Sequence, residues 1–292
     1  MTTATDNPVI VVGAGLTGLV VAYRLSASGV SVVLVESSSR LGGQIHTVQD
    51  DGLVIELGAE GFVARSESVP RLCGELGIEG DLIDQRTTAT SALQAGALVP
   101  LPPGEAARIL GFQVPKEELG RGIRSLRAGM GSLIDALARR LGDRVDLRRG
   151  ASVVRVAGDP GRLEIELATG DRLPAAAVVI TAPAAAASRM LDPLAPEVAR
   201  SLSAQRVTSN ASATLLYDAA VIGAPLDASG FIVPAADQRD GFRACSFVTT
   251  KFDRPTPPGV ALLRVFFRPT AQEIAARDEA GWVDLAARSV AA

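Results

Sequence analysis

Between Pro8 and Glu36 the chain carries its most restrictive pattern: a β-branched run, a turn with three glycines, a helical stretch, a second apolar run and a terminal carboxylate. Pro8–Val12 reads Pro-Val-Ile-Val-Val, flanked by polar Asp6-Asn7 and by glycine, the composition of a strand buried in a parallel sheet. Gly13-Ala14-Gly15-Leu16-Thr17-Gly18 follows, and apolar residues at 16, 19, 20 and 23 then share one helical face until Gly29, placed to end the helix. Val30–Val35 is the second run, and Glu36 stands 21 residues after Gly15. Each part has a physical task if the unit grips a dinucleotide. Gly13 permits a tight turn, Gly15 lets backbone approach a pyrophosphate, and Gly18 lets helix and strand pack closely. The helix N-terminus, with Ala14, Leu16 and Thr17 around the turn, offers N–H groups and a positive dipole end. Glu36 would accept hydrogen bonds from ribose hydroxyls. A glycine-rich turn in some other α/β protein is the competing reading.

The next segment separates flavin from nicotinamide. Ser37-Ser38-Ser39-Arg40-Leu41-Gly42-Gly43-Gln44 supplies a fixed charge and glycine backbone beside the end of the second strand, where the same pyrophosphate would lie. A nicotinamide domain has no evident need of it, so FAD is the expected cofactor. Gly52–Phe62 is then a strand running into a turn with Gly58, Ala59, Glu60 and Gly61, suited to placing backbone against a flat ring. This combination resembles the amine-oxidase-like FAD superfamily. Within it, Arg40-Leu-Gly-Gly, Glu56-Leu-Gly-Ala-Glu-Gly-Phe62 and Leu98-Val-Pro-Leu-Pro102 with Gly104 are similar to protoporphyrinogen and coproporphyrinogen oxidases.

The resemblance implies a discontinuous FAD domain, residues 1–64 and 125–193, and an incomplete substrate domain, residues 65–124 and 194–292. It matches Gly129-Met130-Gly131-Ser132-Leu133 to the family's glycine-Met stretch, Val153 to the backbone position over the adenine, and Val178–Pro183 to the returning strand. It also implies a tetrapyrrole substrate in heme biosynthesis and O₂ or another electron acceptor. The fold class is α/β: a Rossmann-like domain of parallel sheet plus β-meander, and a second, mixed-sheet domain. Because the flavin accepts the hydride, no catalytic side chain is assigned. Two non-porphyrinogen readings stand beside this one: a flavin enzyme acting on an amine or polyene, and a truncated, non-catalytic FAD-binding module.

Elsewhere the pattern predicts a helix over Ser68–Leu76, a hairpin turning at Ala95-Gly96, a short helix within Gly104–Leu110 and a helix capped by Ser132 with Leu133, Ile134, Leu137 and Leu141 on one face. Lys116, Glu117, Glu118, Arg121, Arg124 and Arg127 read as a solvated face. Val145–Leu147, Ala151–Ala157 and Arg162–Ala168 read as strands, Ala177–Thr181 as a wholly buried one. Val207–Tyr217, Gly230–Val233, Phe242–Thr249 and Val260–Phe267 would form the second sheet, and Thr270-Ala-Gln-Glu273 is a capping box.

Composition narrows the classes. With 29 Lys+Arg against 32 Asp+Glu the net charge is −3, which argues against a nucleic-acid partner held by bulk charge. Cys73 and Cys245 fall in no metal-ligand spacing, so no metal site is expected. His46, the single histidine, reads as structural. No apolar run is long enough to span a bilayer, and the acidic start at Asp6 is unlike a signal peptide. Cytoplasmic placement is expected, with peripheral contact at the inner face of the membrane and oligomeric state left open. The chain departs from the family in a short middle segment, in stopping before the glycine-rich closing segment, and in a hairpin, Thr90–Gln94, without the arginine that pairs with a substrate propionate. Arg86 is the nearest substitute, and Gln44 stands where a basic residue is common.

Overall fold

A computed structural model describes residues 7–63, 67–111, 115, 122–159 and 161–291. Asp6, Lys116, Glu117, Glu118 and Arg121 lie outside the described residues. The chain divides into two compact units, one of residues up to His46 with Gly131–Val207, the other of Thr47–Met130 with the residues from Thr208 on.

The first unit is built on a four-stranded parallel sheet in the spatial order Val145–Arg149, Val32–Glu36, Val9–Val12, Ala177–Ile180. Val9–Val12 lies between two neighbours and is buried from Ile10 to Val12, as its β-branched composition requires. Ala177–Ile180 and Val145–Arg149 are the edge strands, and the expectation of complete burial concerns the former. Its burial is only partial and Ala177 is exposed, which corrects the expectation of a wholly buried run: an edge strand has a neighbour on one side only. A three-stranded antiparallel meander, Val153–Asp159, Arg162–Leu167 and Arg172–Ala175, is inserted between two parallel strands, and Val153, Val156, Ile165 and Leu167 join Ile10, Val12, Val33 and Val35 in one core.

The helix Leu16–Ala27 runs to Gly29, whose φ of +79° is the left-handed turn that ends it. Beside it lies Gly131–Leu141, which buries Leu133, Ile134, Leu137 and Leu141. That helix begins one residue before Ser132, so Ser132 sits in its first turn. A helix that sequence periodicity did not show, Ala184–Leu191, follows the edge strand Ala177–Ile180 and buries Ala187 and Met190.

The second unit centres on a six-stranded mixed sheet in the order Ala211–Asp218, Val260–Phe267, Phe242–Phe247, Gly230–Ile232, Ser91–Gln94, Ala97–Pro100. Only the contact between Gly230–Ile232 and Ser91–Gln94 is parallel. Phe231, Phe242, Phe247 and Phe267 fill one face, with ring centroids about 6 Å apart along the series. The hairpin turns at Ala95 and Gly96, both with positive φ. Phe242–Thr249 is a strand only as far as Phe247, where a short helix, Val248–Lys251, begins. The Thr270 capping box is formed: Thr270 Oγ1 accepts from the Glu273 amide and Glu273 accepts from the Thr270 amide.

Arg127 is exposed, as expected of a solvated face, whereas Arg124 is half-buried. Arg124 belongs to the strand Ile123–Leu126 and pairs with Asp84 across the ladder at 2.8 Å, and Arg127 pairs with Asp253 at 3.2 Å. Both cysteines are buried thiols, and burial pushes Cys245 up to about 12. Among the described residues no helix is long and apolar enough to cross a membrane, and no cluster of metal-ligating side chains occurs.

A Cβ on Gly18 would collide with the Gly13 carbonyl and lie 2.7 Å from Thr181 Oγ1. Gly18→Ala is expected to cost about 1–3 kcal/mol of stability through overpacking. Gly80→Ala, where a Cβ meets nothing within 4 Å, should stay within about 0.5 kcal/mol; urea denaturation of the two variants checks the contrast.

Candidate coenzyme site

In the first unit the strand Val9–Val12 delivers the chain into Gly13, whose φ of +97° makes the tight turn. The Gly13 amide still donates to the Val35 carbonyl at 2.8 Å, so the turn continues the sheet ladder before leaving it. Gly15 is the N-cap of the helix, with no side-chain oxygen bonding its first-turn amides and no acidic residue in that turn. The positive end of a twelve-residue helix, with Leu16, Thr17 and Gly18 in its first turn, is therefore left for an external acceptor.

The double-glycine loop packs directly on this turn. Gly15 and Gly42 form a β-bridge, the Gly42 amide donates to the Ala14 carbonyl at 2.8 Å, and a Cβ on Gly43 would stand 3.1 Å from the Gly15 Cα. Gly42 and Gly43 have φ values of +101° and +57°, and Gln44 continues the loop. The Arg40 guanidinium donates to the carbonyls of Leu41, Gly43 and Ile45 at 2.7–3.0 Å. It thus braces the loop from within, with its charge close to, and shared with, the loop's carbonyls.

Glu36 ends the second strand with each carboxylate oxygen engaged. Oε2 accepts from the Ala14 amide at 2.7 Å, and Oε1 from the Ser38 amide at 2.8 Å and the Ser37 hydroxyl at 3.3 Å. These bonds fix the carboxylate beside the glycine turn and leave Oε2 with further lone-pair capacity for a sugar hydroxyl. Next to it opens a cavity of about 480 Å³, walled by Val12, Gly13, Val35, Ser37, Val153, Pro183, Ala186 and Met190, with exposed Arg189 at its edge. The volume and the mostly apolar wall suit a planar base. Hence the structure joins Gly13, Ala14, Gly15, Leu16, Thr17, Gly18, Glu36, Ser37, Arg40, Gly42, Gly43, Gln44 and Val153 in one unit. Ala182, Pro183, Ala186 and Met190 line the cavity without being legible in the sequence as wall residues. The alanine-rich run they occupy shows no distinctive periodicity, and Pro183 alone marks the strand's end.

Gly58, Ala59, Glu60 and Gly61 belong to the second unit, following the strand Leu53–Glu56. Gly61 is required by packing, since a Cβ there would strike the Arg124 carbonyl. The segment is held by buried charge. Glu56 accepts from the Met130 amide at 2.6 Å and from Thr47 Oγ1 at 2.7 Å, and pairs with Arg254 at 3.4 Å. The side chains of that pair are 2 % and 4 % exposed. Arg254 also donates to Ser125, whose hydroxyl bonds the Glu60 carbonyl at 2.6 Å. Glu60 pairs with Lys251 at 2.9 Å, and Arg264 donates to the Gly58 carbonyl at 2.7 Å. Burial pulls the pKa of Arg254 and Arg264 down, and Glu56 and Glu60 push it back up. Glu56→Ala would orphan Arg254 and the Met130 amide. A loss of about 3–5 kcal/mol is expected in chemical denaturation, the cost of an uncompensated buried charge.

Comparison with known proteins gives two family matches, each of which crosses between the two units. Residues 11–76 match the NAD(P)-binding Rossmann-like domain, and residues 102–291 match the flavin containing amine oxidoreductases. The coproporphyrinogen III oxidase of Bacillus subtilis (strain 168) is 36% identical over 102 residues, a stretch covering 33% of this chain and 22% of that protein. The matched part is thus about a fifth of the relative's length. A crystal structure from Exiguobacterium sp. 255-15 named after protoporphyrinogen oxidase superposes with a TM-score of 0.80 at 21% identity, over 98% of this chain and 82% of that one. The cyclohexylamine oxidase of Brevibacterium oxydans gives 0.70 at 15% identity, over 97% and 81%. At these identities the superpositions show a shared fold. The family match spans more than half of the sequence, and the chain accordingly belongs to the flavin-containing amine oxidoreductases, with FAD as its coenzyme.

Proposed function

We propose that this protein is an FAD-dependent oxidoreductase of the porphyrinogen-oxidising type, taking coproporphyrinogen III or protoporphyrinogen IX to the porphyrin. The observation that carries the substrate class is the 36% identity to a coproporphyrinogen III oxidase, together with the Arg40-Leu-Gly-Gly and Glu56–Phe62 phrases. FAD when bound supplies the hydride acceptor, and O₂ or another oxidant takes the electrons onward. The chain's own residues bind and orient. Gly13–Gly18 present helix amides to the diphosphate, Glu36 accepts from the ribose, Gly42 and Gly43 bring backbone alongside, and Arg40 keeps their loop in shape. Val153 with Met190 shelters the adenine, and the Gly58–Gly61 backbone lies along the ring. Residues 1–64 and 125–193 are assigned to the coenzyme and residues 65–124 and 194–292 to the substrate.

One observation favours the amine-oxidising alternative. The strand Ser91–Gln94 carries no basic residue for a propionate, and Arg86, in the preceding loop, is exposed. Purified protein reconstituted with FAD and made anaerobic decides between the substrates. Bleaching of the flavin band by a porphyrinogen, and not by primary amines, is the expected result; bleaching by amines alone selects the alternative. Protein that stays colourless would reject both.

A Cβ on Gly15 would meet only the Gly43 Cα, at 4.0 Å, so Gly15→Ala should fold normally. That Cβ would nevertheless occupy the ligand's approach. The variant is expected to lose FAD by at least tenfold in affinity, about 1.4 kcal/mol, with an unchanged denaturation midpoint. Unaltered FAD affinity would remove Gly15 from the diphosphate site.

A further inference from the structure

Around Glu56–Gly61 polarity is inverted. Glu56 and Glu60 are buried, whereas Leu57 is 50% exposed and Ala59 is exposed. A turn facing only water would be arranged the other way round, because burying carboxylates costs several kcal/mol and exposing leucine forfeits its burial. The inversion is consistent with a segment whose outer face meets an apolar partner and whose inner face does electrostatic work.

The inner face has an excess of positive charge. Among the described residues Arg254, Arg264 and Lys251 stand against Glu56 and Glu60, three cations for two carboxylates. The nearby carboxylates Asp84 and Asp253 are already paired, with Arg124 and Arg127. Several donors are also unused: Arg254 Nε and Nη1 and Arg264 Nε are buried without an acceptor. Away from water such an excess is weakly screened and acts over a longer distance.

We infer that Arg264, with Arg254 and Lys251, positions the Glu56–Gly61 backbone for the flavin ring and lends it the unneutralised positive charge that favours its reduced form. This rests on the placement of that backbone along the ring in the proposed function. A hydride carries two electrons and one proton, so a ring that receives it gains one negative charge, while the donor is left to release a proton. A fixed cation behind the ring stabilises the product of that transfer more than the starting state. Arg264 reaches the segment through the Gly58 carbonyl and is itself held by Ser212 at 3.1 Å. It is a positioning residue, acting through backbone and field.

The test is the reduction potential of the FAD-loaded protein, measured against reference dyes, in two variants of opposite sign. Arg264→Gln removes the cation and should shift the equilibrium toward oxidised flavin by about tenfold, near 30 mV for a two-electron couple. Glu60→Gln is nearly isosteric, removes an anion, and should shift it toward reduced flavin by a similar factor. Arg264→Lys keeps the charge and should stay within twofold of the wild type. A merely structural cluster would lower the unfolding midpoint of the variants and leave the potentials of the folded, flavin-loaded fractions alike; that result overturns the inference, as do shifts of the same sign. If Arg264→Gln does not fold, Glu60→Gln decides, and an unchanged or lowered potential refutes the role. Wild-type protein that takes up no FAD refutes the proposed function itself, whereas a yellow wild type with an unshifted Glu60→Gln refutes this inference alone.

Discussion

The contact of Gly18 with the Gly13 carbonyl is the constraint from which the first unit grows. With hydrogen in place of a side chain, the first turn of the helix can sit against the end of the strand, and the helix axis points its positive end at the turn. Gly15 and Gly43 repeat the device across the neighbouring loop, backbone on backbone. Four small positions thereby create a surface of amides and α-carbons where a diphosphate can approach closely. Any methyl group at Gly18 would push the helix away and take that surface apart.

The two units are held together by different physics. The first unit uses fixed dipoles and short hydrogen bonds, none of which requires a buried net charge. Arg40 illustrates the point: its guanidinium serves the loop's own carbonyls, and any field it lends to a phosphate comes after that task. The second unit gathers five ionised groups, Lys251 only partly buried, around one short segment. Replacing a buried pair by well-packed apolar residues is often neutral or stabilising, so stability gives little reason to keep such a cluster. What the cluster does secure is geometry: carbonyls of Gly58 and Glu60 and the amide of Met130 are all tied to charged or polar side chains.

Much of the architecture was legible because periodicity and glycine chemistry are local. Val9–Val12, Ser68–Leu76, the Ala95-Gly96 hairpin, Val260–Phe267 and the Thr270 capping box follow from strand alternation, helical spacing and turn preference within a few residues. Ala184–Leu191 was missed because alanine satisfies helix and strand burial alike, and Ala177–Ile180 was over-buried because an apolar run cannot say whether it has one neighbour or two. A charge run suggests water, which holds for exposed Arg127, but it cannot name the ion-pair partners of Arg124 and Arg127. Their partners Asp84 and Asp253 lie 40 and 126 residues away in the chain.

The sequence by itself determined the glycine turn, the acid after it and the double glycine, because each depends on backbone conformation set by neighbouring residues. Only the tertiary structure decided which carboxylates are buried and with whom. Glu56 and Glu60 look like ordinary surface residues in a glycine-rich turn, and Lys251, Arg254 and Arg264 like an unremarkable scatter 190 or more residues later. The sign and strength of a charge's effect depend on burial and on long-range pairing, and neither quantity exists until the chain has closed.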